Sequence, residues 1–159
     1  MKLIAHRGLI NGPDSNLENT PSQIELALSL GYDAEVDFWV VEHSSHNRYY
    51  LGHDAPVYEI EWEFIEQAGL WIHAKNIAAL YLLGADNKLN FFWHENDAHT
   101  LTSQGYIWTY PEQKLTRHSI MLMPEWADRT LENTQGVNCY GICSDWVQVI
   151  RDKRLTLKH

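Results

Sequence analysis

Two short stretches carry the residue types that acid/base and phosphate chemistry need. His6-Arg7-Gly8 follows an apolar run at Leu3–Ala5, and Glu35 and Asp37 stand two residues apart inside the run Ala34–Val41. Imidazole exchanges a proton near neutral pH, and a guanidinium fork matches phosphate oxygens two at a time. Carboxylates two apart on a strand point the same way, and they repel unless a cation joins them or one takes a proton. Hard divalent ions such as Mg2+ or Ca2+ suit such oxygens. The same pattern also describes an alternating strand with Val36 and Phe38 inward and an acidic face in water. His53, in His53-Asp54, would make an acid/base pair with His6 if the fold brought the two together.

The elements that would do so are legible as short apolar runs. Eight of them, at Leu3–Ala5, Ala34–Val41, Tyr49–Leu51, Leu70–Ile72, Asn90–Trp93, Tyr106–Trp108, Ser119–Met123 and Gly141–Cys143, read as strands. Their nearly continuous apolarity predicts burial on both faces and therefore a parallel sheet. Polar residues follow each run: His73 and Lys75 after the fourth, His94-Glu95 after the fifth, Thr109-Tyr110, Glu125 and Ser144-Asp145 after the last three. In a parallel barrel these strand ends share one mouth.

Between the runs, Pro21–Leu30 is the clearest helix, with Thr20 as N-cap, Gln23 completing a capping box and Gly31 as its stop. Glu61–Ala68 and Asn76–Ala85 are weaker helices, and 100–104, 112–117 and 126–134 are single turns. The stretch Glu42–Arg48 reads as a loop that returns, extended, to the start of a parallel strand. The predicted fold is α/β, one domain over 1–159: a reduced (β/α)8 TIM-type barrel with several crossover helices shortened or missing. Its strands start about 20 residues apart, against roughly 30 in an ordinary barrel. The bare outer sheet that results predicts a homodimer.

Composition narrows the partners. With 12 Lys and Arg against 21 Asp and Glu, the net charge is −9, which repels nucleic acid and anionic membrane surfaces. No run approaches the length of a membrane span, and the start M-K-L-I-A-H-R-G has no signal-peptide hydrophobic region. Cys139 and Cys143 suit neither a disulfide framework nor a zinc site, so a reducing, cytoplasmic setting is expected. The basic residues between Arg151 and Lys158 read as an exposed polar helix end.

The stretches I-A-H-R-G (4–8), L-E-N-T (17–20), G-Y-D-A-E-V-D (31–37) and L-G-H-D (51–54) resemble the glycerophosphodiester phosphodiesterase family, among the phosphatidylinositol phospholipase C-like barrels. I-W-T-Y (107–110) and G-I-C-S-D (141–145) resemble its later strands. The resemblance implies His6 and His53 as the acid/base pair and a divalent metal on Glu35 and Asp37, with Glu18 nearby. Glu18 is implied as a further ligand or an orienting group, Arg7 and Lys75 as holding the phosphate, and Trp108 as an apolar wall for a glycerol-like moiety. The implied substrate is a small phosphodiester. One departure stands out: His73-Ala74-Lys75 replaces the family's Glu-x-Lys, so imidazole takes the place of a carboxylate ligand. That change moves the expected ion towards Mn2+ or Zn2+. His94 and Glu95 either compensate from the next strand or only border the pocket. Two other readings share these residues: a phosphate- or polyol-phosphate-binding module without turnover, and a metal-free lyase that stops at a cyclic phosphate.

Overall fold

Glu35 and Asp37 are as buried as the Ala34, Val36 and Phe38 side chains that flank them, so the strand has no acidic face in water. A strand buried on both sides belongs inside a layered α/β structure. The computed structural model describes residues 1–44 and 46–156, so Lys158 of the basic tail lies outside the described residues. Ten strands form one sheet: β1 (Lys2–Ala5), β2 (Asp33–Glu42), β3 (Asn47–Leu51), β4 (Tyr58–Ile60), β5 (Leu70–Ala74), β6 (Phe91–Phe92), β7 (His99–Leu101), β8 (Ile107–Thr109), β9 (Ser119–Leu122) and β10 (Gly141–Ser144). The helices are α1 (Pro21–Ser29), α2 (Trp62–Ile65), α3 (Ile77–Leu83), α4 (Pro124–Ala127) and α5 (Val147–Thr156).

Seven of the strands run parallel, in the order β6-β5-β2-β1-β10-β9-β8. The sheet curls until its two ends face one another. Phe92 on β6 stacks on Trp108 of β8 with ring centroids 4.4 Å apart, and Trp71 of β5 lies 6.1 Å from the same indole. Among the described residues no ladder joins β6 to β8. Ser103 bridges the gap instead: its N–H donates to Phe91 O (2.8 Å), and its hydroxyl accepts the Phe91 N–H (2.9 Å). The molecule is therefore mixed α/β with a curled sheet forming a half-barrel, and among the described residues the expected ring of eight parallel strands is not closed.

The missing parallel strand is the third. Residues 49–51 were expected to restart at the bottom of the sheet, but β3 runs antiparallel to β2, pairing Phe38 with Leu51 and Val40 with Tyr49. Only residues 43–46 separate the two strands, whereas a parallel return takes a crossover of about a dozen residues or more. β2 consequently serves twice. Its first half, Ala34–Phe38, pairs with Leu70–Ala74 of β5, and its second half rises above the mouth as one arm of a hairpin extended by β4.

The three helices expected from the sequence are as short as expected, or shorter, while α5 is longer than the polar helix end read there. α1 begins where Thr20 Oγ1 accepts the Gln23 N–H at 3.3 Å, but the capping box is half made, because the Gln23 side chain donates to Gly8 O at 3.1 Å. Asn76 caps α3 through the Ala79 N–H (2.9 Å). Residues 100–104, expected as a helical turn, instead join β7 and a tight turn, and 112–117 form no helix. α5 buries Val147 and Ile150 against β1 and β10. Among the described residues no helix is long and apolar enough to cross a membrane.

Candidate functional site

β1 delivers His6 and Arg7 through a tight 3-10 turn, His6–Gly8. Arg7 sits at φ 51°, a region non-glycine residues seldom occupy, and Gly8 follows at φ 78°. A Cβ on Gly8 would stand 3.0 Å from Ile24 Cγ1 and 3.1 Å from the Ile24 backbone nitrogen, so α1 requires glycine there. The turn aims the Arg7 N–H at Glu35 Oε2, 3.0 Å away, which fixes that carboxylate from the backbone. The strained conformation is held by partners on both sides, as strain at a functional turn must be.

Asp37 is the centre of the charge network. Its backbone N–H donates to Asn19 Oδ1 (2.9 Å), and its Oδ2 accepts from Asn19 Nδ2 (2.8 Å). Arg7 Nε lies 3.3 Å from Oδ2, and Lys75 Nζ 3.3 Å from Oδ1. His73 Nδ1 is 3.1 Å from Asp37 Oδ1 and 3.9 Å from Glu35 Oε1. Register explains the last contact, because β2 and β5 pair Asp37 directly with His73.

The histidines of the mouth fall into two kinds. His6, His53 and His94 each turn Nδ1 to a carboxylate oxygen: Asp145 at 2.8 Å, Asp54 at 2.7 Å and Asp97 at 2.7 Å. An ionised carboxylate only accepts, so Nδ1 of His6 and of His94 donates and Nε2 is left to meet a substrate, whereas His53 stands beside Asp54 at ion-pair distance. His73 is reversed. Its Nε2 donates to the His94 carbonyl oxygen (3.0 Å), and Nδ1 faces the two buried carboxylates. Such a nitrogen either carries a second proton or offers a lone pair to a cation. Glu35, Asp37 and His73 place one ligand atom each within 4.8 Å of one another. Two carboxylate oxygens and an imidazole whose far nitrogen is anchored form a donor set that fits a divalent ion with open positions.

Electrostatics separates the two expected catalytic imidazoles. Burial opposes charge on His6, but the Asp145 hydrogen bond and nearby Glu35 outweigh it and raise its pKa above the usual value. Burial and the Arg7 and Lys75 cations lower the pKa of His53, against the pull of Asp37 and Asp54. Asp37 is held well below the usual carboxylate range: burial works against its charge, but the His73 hydrogen bond and the His73, Lys75 and Arg7 charges prevail. Glu35 moves the other way, raised by burial and by Asp37 beside it.

These groups open into one cleft of about 370 Å3. His6, Arg7, Glu35, Asp37, His53, His73 and Lys75 all line it, with His94, Glu95 and Trp108. His53 arrives by an unexpected route, descending from the β2–β3 hairpin, where the Gly52 N–H bonds Asp37 O at 3.1 Å. Glu18 is not brought to the metal cluster; its Oε2 accepts from Arg7 Nη1 at 2.6 Å and positions that guanidinium. Trp108 is no open wall either, being 3% exposed beneath Phe92. Arg7 has two of its nitrogens turned to Glu18 and Asp37, which leaves the rest of its fork for an anion.

Asn19 and Asp145 do work that the choice of site residues missed. Both lie in quoted motifs, L-E-N-T and G-I-C-S-D, so position after a strand or turn was the available signal. Glu125 is a third. It accepts from Ser144 Oγ and from the Asp145 N–H, each at 2.9 Å, and so steadies the partner of His6. Comparison with protein-family models, with curated proteins and with solved structures finds no match.

Proposed function

We propose that this chain is a metal-dependent phosphoric diester hydrolase for small glycerophosphodiester-like compounds. The observation that carries the reading is the pair His6, hydrogen-bonded through Nδ1 to Asp145, and His53, in one cleft with Arg7 and Lys75. The sequence resemblance of residues 3–54 to glycerophosphodiester phosphodiesterases supports it.

Opposed pKa shifts assign the roles. His53, whose pKa is lowered, takes the proton from a neighbouring substrate hydroxyl at Nε2 as its oxygen bonds to phosphorus. His6, whose pKa the Asp145 hydrogen bond raises, gives its Nε2 proton to the departing alcohol oxygen as the second P–O bond breaks. The product is a cyclic phosphate, which water opens by the reverse use of the same pair. Arg7 and Lys75 orient the phosphoryl oxygens. A divalent ion on Glu35, Asp37 and His73 would offset charge developing on those oxygens.

Turnover of glycerophosphodiesters, which carry the neighbouring hydroxyl, with Mg2+, Ca2+, Mn2+ and Zn2+ in turn, tests the reading. His6→Ala and His53→Ala should each cost about 10²–10⁴-fold in kcat. Unchanged turnover in either variant removes that imidazole from the mechanism. The pH profile should rise through a limb below 6.5, set by His53 losing its proton, and fall through a limb above 6.5, set by His6 losing its own. Asp145→Asn should bring the upper limb down.

One observation favours a second reading. Asp37 already faces two permanent cations, Arg7 and Lys75, which supply positive charge without an ion. In that case the chain is a cyclising lyase, and phosphorus NMR of chelator-treated protein would show cyclic phosphate accumulating. Phosphate binding without hydrolysis under any metal would identify a binding module instead.

A further inference from the structure

The cleft has a second wall that the phosphoryl chemistry does not use. Tyr110 directly follows β8, and Trp126 lies on α4 just after β9, on the arc of the sheet opposite Asp37 and Lys75. Trp126 is 59% exposed and Tyr110 41%, in a cleft whose floor residues are buried. Their rings meet at 70° with centroids 6.1 Å apart, forming a corner with one face and one edge.

This corner is built rather than incidental. Met123 adopts φ 44°, a left-handed conformation unusual for its side chain, and its N–H is tied to Cys143 O at 2.8 Å. Pro124 is buried, and Glu125 is drawn inward by Ser144 and Asp145. With its neighbours held in this way, α4 presents Trp126 at the rim. Strain retained next to a cleft points to a purpose for what it displays.

We infer that Tyr110 and Trp126 form a stacking subsite for a hexopyranose ring carried by the phosphodiester. The inference rests on the phosphodiester reading of the same cleft. A puckered ring with an apolar C–H face fits a perpendicular aromatic corner, whereas a flat base fits between parallel planes. Glu95 and His94, whose Nδ1 is taken by Asp97, border the same wall and supply acceptors for ring hydroxyls. Those polar groups disfavour an acyl chain, and the net charge of −9 disfavours an oligonucleotide. A smaller groove of about 230 Å3 shares Tyr110 and Leu122 with the cleft and continues past Pro111 and Pro124, which leaves room for a longer saccharide.

The test titrates the full chain with inorganic phosphate, with glucose, galactose and mannose 1-phosphates, and with the methyl glycosides of the same sugars, by calorimetry. At least one hexose phosphate should bind about tenfold more tightly than inorganic phosphate. Trp126→Ala should abolish that advantage and Trp126→Tyr should restore most of it. An unchanged urea midpoint shows that the Ala variant is folded; if the midpoint moves, the Tyr variant and Tyr110→Ala carry the test. Phosphate binding with no hexose advantage, or an advantage that survives Trp126→Ala, overturns the subsite and leaves the phosphodiester reading standing. Methyl glycosides that bind through Trp126 while phosphate fails to bind keep the subsite and overturn the phosphodiester reading. If neither class binds, both fall.

Discussion

The two arcs of the mouth are assembled by different forces. On the β1-β2-β5 arc, full parallel ladders set carboxylates and cations against each other in register, so that Asp37 meets His73 by strand pairing alone. On the β6-β8 arc the ladder stops, and the rings of Phe92, Trp108 and Trp71 fill the interval. Hydrogen-bonded register suits chemistry that needs fixed distances. Stacked rings hold the sheet curled without specifying position so tightly.

The largest test of this contrast is Asp37→Ala. It would leave Arg7 and Lys75 facing each other without their common counter-ion and should cost about 3–5 kcal/mol in urea unfolding. A loss under about 1 kcal/mol would mean that the cations find solvent and that the arc is no network. Phe92→Ala should cost about 3 kcal/mol. Hydrogen exchange then sharpens the contrast: amides of β6 and β8 should lose protection while those of β1, β2 and β5 keep theirs. Uniform loss would show one cooperative unit instead of two arcs.

Smaller effects come with pH. His6 has a raised pKa, so the stability it contributes is complete below its unfolded value of about 6.5 and disappears as pH rises through its folded value. Asp37 has a lowered one, so its contribution is present above about 3.9 and fades as pH falls below that. Asp145→Asn should flatten the alkaline side of a stability–pH curve and leave the acid side alone. Smallest of all, Trp126→Ala should change stability by less than about 0.5 kcal/mol, since the indole is mostly in water. A larger loss would move Trp126 from the rim into the framework.

Reading the chain in order located the charged arc well, because its residues lie within strands or directly after them, and strand direction and alternation aim them. His6, Arg7, Glu35, Asp37, His73 and Lys75 all came from that rule, and all line the cleft. His53 was placed at the right mouth for a wrong reason, since direction after a hairpin is the opposite of direction after a crossover. The polar residues 43–46 fit either connection by type; their number was the deciding property. Glu18 entered through the resemblance as a further ligand or an orienting group, and its pairing with Arg7 is of the second kind. Trp108 and Trp126 could not be distinguished by residue type. One is enclosed by Phe92 and Trp71, and the other is lifted out by the turn at Met123, a three-dimensional difference that no local pattern records.

The count of parallel strands has a consequence of its own. In closed β/α rings, successive layers of inward side chains come from alternate strands, and alternation around a circle requires an even number. Seven is odd, so a closed ring of these strands would set two neighbours at one level; with the interval between β6 and β8 left open, that conflict does not arise, and the broad rings of Phe92 and Trp108 occupy the space.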